Sequence, residues 1–138
     1  MPKTDQTEPR GELAIRTIAM PADTNANGDI FGGWVLARMD QAGGVMGVSF
    51  ARGRVVTASL QAMSFLKPVK VGDVLSVYTQ VTRVGRTSFD LRVEAWAQRF
   101  LTREHVKVTE GTFTFVAIDD SGKPRVLPDS GGPVPSHG

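Results

Sequence analysis

The order of its patterns limits this chain most: one run at helical spacing, then four at strand spacing. Trp34 to Phe50 carries Leu36, Met39, Gly43 and Met46/Gly47 at helical intervals. Arg54 to Phe65, Val74 to Val84, Thr87 to Gln98 and His105 to Ile118 read as strands. The third of these alternates most clearly, with Phe89, Leu91, Val93, Ala95 and Ala97 set against Asp90, Arg92, Glu94, Trp96 and Gln98. Ahead of the helix, Glu12 to Met20 reads as a further strand, ended by Pro21. Strands that follow one helix imply an α+β fold, with a five-stranded antiparallel sheet wrapped against that helix. One helix covers only part of such a sheet, so the uncovered face and edges imply an oligomer.

Composition excludes several chemistries. The 138 residues include no cysteine, which removes disulfides, thiolate nucleophiles and cysteine-held zinc. Of the two histidines, His137 lies beside the C-terminus, so a histidine-based zinc site or triad would have to use His105. Sixteen basic and 14 acidic residues leave a net charge of +2, too small to call for nucleic acid. The longest apolar stretch, near Val45 to Ala51, is too short to span a bilayer. Met1 to Glu12 lacks the apolar core of an export signal, so no membrane association and a cytoplasmic location are expected. Residues 1–11 and 129–138 are polar or rich in Pro, Gly and Ser; they read as disordered tails around one domain, 12–128.

Four features bear on chemistry. Asp40 falls on the stripe Leu36, Asp40, Gly43, Gly44, Gly47, which is apolar or small and reads as the inward face. A carboxylate there is costly unless paired or functional, the other reading being a misassigned face that points to water. Phe31-Gly32-Gly33-Trp34 leads into the helix, whose first turn presents free N–H groups suited to an oxyanion, or is an ordinary tight loop. Asn25 and Asn27, with Asp29, sit in a long loop, where an Asn either orients water or bonds its own backbone. Lys67, Arg83, Arg86-Thr87-Ser88, Lys123 and Arg125 flank strand ends, as phosphate ligands or as a solvated rim. The glycines in Gly43, Gly44 and Gly47 each cost a helix about 1 kcal/mol relative to Ala, which the close approach of another backbone would offset.

The segment MPADTNANGDIFGGWVLARMDQAGGVMG resembles the signature of the hotdog-fold acyl-CoA thioesterases, closest to the bacterial YciA type and more distantly the brain acyl-CoA hydrolase group. The resemblance continues through GRVVTASLQAMSFLKPVKVGDVL, VGRTSFDLRVEAW and TFVAIDDSGKPRVLP, covering about residues 12–128. It implies a hotdog fold, a long central helix wrapped by a curved sheet, and a dimer, often three dimers joined as a hexamer. It implies hydrolysis of acyl-CoA to a carboxylic acid and CoA. Asp40 would be general base or nucleophile, Gly33 and Gly32 amides would hold the carbonyl oxygen, and Asn25 would orient water or substrate. The loop and helix that make one site can come from different subunits. Arg86, Thr87, Ser88, Lys67 and Arg125 are the candidates for the CoA phosphates. No cofactor is implied, CoA being part of substrate and product. A hotdog hydratase or dehydratase would rely on a site histidine, and a non-catalytic acyl-CoA-binding module would lack the carboxylate.

Overall fold

Period-two alternation puts Phe89, Leu91, Val93, Ala95 and Ala97 on one face of a strand, and all five are buried. They lie beneath a single helix. The computed structural model describes residues 7–128, so both outer tail segments, 1–6 and 129–138, fall outside it, His137 with them. In chain order the elements are β1 (Glu12–Ile18), a 3-10 turn (Pro21–Asp23), α1 (Gly32–Ala51), β2 (Val55–Phe65), β3 (Val74–Val84), β4 (Ser88–Gln98) and β5 (His105–Ala117). The strands form one antiparallel sheet in the order β1-β3-β4-β5-β2, so β1 and β2 are its edges. The helix packs across all five strands. This is the expected α+β, hotdog arrangement.

The helix stripe differs from the expectation. The buried positions are Val35, Met39, Ala42, Gly43, Gly47 and Ala51, while Asp40 is exposed. The inward face therefore runs through Val35 and Met39, each one residue, or about 100°, from Leu36 and Asp40, while it keeps Gly43 and Gly47. Larger side chains decide the matter: Val35 and Met39 bury more apolar surface than a face of glycines would. Two of the glycines still serve close packing, but against rings rather than backbone. A Cβ on Gly43 would lie 2.7 Å from Phe115 Cζ, and one on Gly47 3.3 Å from Phe89 Cζ. The two rings stack at 5.8 Å between centroids, with Phe50 against Phe89 at 4.9 Å.

The other end of α1 is closed by Arg52 in the left-handed region (φ 57°), whose N–H bonds Val48 O. Arg125 Nη2 then donates to Ala51 O at 2.9 Å. Arg10 crosses the outer face of the sheet, its Nε 2.8 Å from Glu94 Oε2 and its Nη2 3.2 Å from Glu110 Oε1.

Candidate active site

Helix α1 begins at Gly32, two residues before the apolar pattern starts, and its N-cap Phe31 supplies no side-chain cap. Phe31 O accepts from Trp34 N and Val35 N. Among the described residues, the amides of Gly32 and Gly33 have no backbone acceptor. These are the donors that a helix start leaves over, and they sit at the positive end of the helix dipole. A Cβ at Gly33 would meet nothing within 4 Å, so its surroundings are open, whereas one at Gly32 would lie 3.0 Å from the Phe65 ring.

Gly32 lines a cleft of about 270 Å³ together with Asn25, Asp29, Ile30, Val35, Phe65 and the run Leu66–Val69. The structure thus brings Asn25, Gly32 and Lys67 to one place. Asn25 uses its carboxamide oxygen within its own loop, accepting from Asn27 N at 2.9 Å and Asp29 N at 3.1 Å. That is the self-bonding turn weighed above, and it fixes how the carboxamide faces.

Asp40 lies elsewhere on the helix. Seven residues past Gly33, it stands about 10 Å further along the axis on the same side. Its Oδ1 accepts from the Thr57 hydroxyl at 2.9 Å, and it faces the β2 flank rather than the core. Thr57 escaped the sequence reading; a hydroxyl inside the apolar run VVTASL was its only signal.

The candidate phosphate ligands separate into two groups. Lys67 is exposed at the glycine end. Arg86 is exposed too, but it belongs to the β3–β4 turn at the other end of α1: Arg86 O accepts from Leu127 N, and the neighbouring Arg125 reaches Ala51 O. Ser88 Oγ already accepts from Arg83 Nη2 at 3.1 Å, and Thr87 O from Ala117 N. Arg125 is half-buried, with Nε on Ile118 O and Nη2 on Ala51 O. His105 is not among the residues that line the cleft; it stacks on Trp96 at 4.9 Å. Desolvation, then the charge of Arg16, lowers its pKa.

The flank that carries Asp40 is sticky. Val48 is exposed on the helix, and Val56, Leu60 and Phe65 along β2, an edge strand. Among the described residues no helix is long and apolar enough to cross a membrane.

Comparison with known proteins follows the same lines. Residues 27–99 match the thioesterase superfamily. An acyl-CoA thioester hydrolase YciA of Salmonella typhimurium is 47% identical over 131 residues, covering 93% of this chain and 98% of that protein. A hexameric thioesterase of Yersinia pestis superimposes with a TM-score of 0.85 at 49% identity, over 89% of this chain and all (100%) of the other. An acyl-CoA hydrolase of Staphylococcus aureus, solved with butyryl coenzyme A and coenzyme A, has a TM-score of 0.76 at 33% identity, over 83% and 70%. The free amides, the Asn-bearing loop and the exposed helix carboxylate thus occur on a chain that belongs to the thioesterase superfamily, in its YciA group of acyl-CoA thioester hydrolases.

Proposed function

We propose that this protein hydrolyses acyl-CoA thioesters in an active site assembled from two copies of the chain. The observation that carries the reading is the uncapped start of α1, where the Gly32 and Gly33 amides open beside Asn25. A thioester carbonyl needs donors within hydrogen-bond reach and a base or nucleophile near its carbon. Gly33 and Asp40 of one chain stand about 10 Å apart along the helix, too far to serve one carbonyl. A second copy seated on the apolar β2 and α1 flank would bring its own Asp40 to the first copy's glycines. Two such sites per dimer follow from twofold symmetry, and the hexameric relative supports a further assembly of dimers.

In the site, Gly33 N–H, with Gly32 beside it, binds the carbonyl oxygen as negative charge develops there. One such donor contributes about 3–4 kcal/mol to the transition state. Asp40 takes a proton from water as the water oxygen attacks the carbonyl carbon. Alternatively its carboxylate attacks first, and water opens the mixed anhydride. In both routes the C–S bond breaks, the thiolate leaves and is protonated, and a carboxylic acid remains. Asn25 orients the water or the thioester, and Thr57 holds the Asp40 carboxylate by its hydroxyl. Neither route calls on a metal or redox group.

Asp40 lies 11 residues before the end of α1, about 16 Å along its axis. An extended pantetheine arm spans about 15–20 Å, so the Arg86 turn of the same chain suits the CoA phosphates. A hydratase reading has less support, since among the described residues no histidine lines the cleft.

The test is thiol release from butyryl-CoA. Asp40→Asn keeps the shape and removes the base, so kcat should fall about a hundredfold or more while CoA affinity stays. A variant that turns over at the wild-type rate would overturn the assignment.

A further inference from the structure

Asp29 stands between Asn25 and the helix glycines, and the chemistry above gives it no task. Its Oδ1 lies 2.5 Å from Lys70 Nζ. Main-chain pairing accompanies this contact: Asp29 and Lys70 form an antiparallel bridge, and Ile30 N donates to Val69 O at 3.0 Å. The pair therefore ties the Asn25 loop to the segment that forms the facing wall of the cleft, Leu66–Val69.

Both sides of this tie are anchored. On the loop side, Asn25 N donates to Asp29 O at 2.7 Å, and Asn25 Oδ1 accepts from Asp29 N. A shift of Asp29 thus shifts Asn25. On the wall side, Asp73 is 2% exposed, and its Oδ2 accepts from Lys70 N at 2.8 Å and from Arg99 Nη1 at 2.5 Å. Arg99 Nη1 also donates to Pro68 O at 3.0 Å. A buried, charge-assisted anchor of this kind is stiff. The Asp29–Lys70 contact itself is solvent-facing, with side chains 34% and 53% exposed.

We infer that Asp29 and Lys70 are a positioning pair for catalysis, holding the Asn25 loop at a fixed distance from the Gly32 and Gly33 amides. Neither touches a reacting atom. The inference rests on the thioesterase reading and deepens it. Exposed ion pairs contribute little to folding, so this one acts on the geometry of the loop rather than on global stability. The loop from Thr24 to Phe31 has no helix or strand of its own to hold it.

The experiment compares wild type with Asp29→Lys, Lys70→Asp and the exchanged double variant Asp29→Lys/Lys70→Asp. The substrate is butyryl-CoA, and thermal unfolding is followed beside kcat and KM. Each single variant should lose about tenfold or more in kcat, as small misplacements of catalytic groups do, with KM nearly unchanged. Unfolding midpoints should stay close to wild type. The exchanged variant should recover most of the lost kcat, because the attraction is restored across the same main-chain bridge. An exchanged variant as slow as the single ones, or single variants as fast as wild type, overturns the pair's role. Should either reversal of charge fail to fold, Asp29→Asn and Lys70→Met give the same reading through the kcat and KM split. A wild-type protein that releases no thiol would instead overturn the thioesterase reading.

Discussion

Glu94 is fully buried on the face of β4 turned away from the helix. It receives hydrogen bonds from Trp96 Nε1 at 3.0 Å and from Arg10 Nε at 2.8 Å. Burial alone raises its pKa. The bonds from Trp96 and from the Arg10 main chain and side chain, then the charge of Lys107, outweigh burial and hold it below its ordinary 4.5. A carboxylate depressed in this way stabilises the fold above its unfolded pKa, and that gain is lost as pH falls through the folded value. Thermal unfolding from about pH 3 to 7 should therefore show wild type losing stability below about pH 4.5 more steeply than Glu94→Gln. Parallel curves would sink the idea. The alternation of β4 put Glu94 opposite the apolar face, but nothing in the sequence said that Arg10 would cover it. Asp40 has a related history: its residue type and helical setting were legible, its facing was not. Facing depended on whether Val35 and Met39 or the glycines won the core.

The strands were legible because each carries its own period. β3 runs from Val74 to Val84 as read, and β4 and β5 each differ by one residue at an end. The helix was legible in its middle and misread at its start, because Gly32 and Gly33 have low helix propensity and yet form its first turn. Its far end depends on a residue some 70 positions away, which no local pattern reveals. Arg125 reaches Ala51 O from beyond β5, adding a cation at the negative end of the helix. Arg125→Ala should cost about 1.5–3 kcal/mol, the range for a hydrogen bond to a charged group. It should also leave KM for butyryl-CoA unchanged. Chemical denaturation and steady-state kinetics check both halves; a rise in KM without loss of stability would return Arg125 to the phosphate site.

On the scale of the whole molecule, the resemblance carried what no single chain displays, since it implied a site shared between subunits. On the shared-site proposal, one chain carries two half-sites: glycine amides with Asn25 at one end of α1, and Asp40 with Thr57 two turns on. Exposed Val48, Val56 and Leu60 mark where another copy would close them. The spacing between the halves has a genetic consequence. Gly33→Pro removes one amide donor at a helix turn that tolerates proline, where a new Cβ meets nothing within 4 Å. Asp40→Asn removes the base. Homodimers of either variant are dead at both sites. If the two are unfolded together and reassembled, each mixed dimer pairs one site bearing both lesions with one bearing neither. Random reassortment should then restore about a quarter of wild-type thiol release, from two chains that are each inactive. A mixture that stays silent although mixed dimers form would mean that each chain works alone. A site shared as proposed, with its halves two turns apart, predicts intragenic complementation.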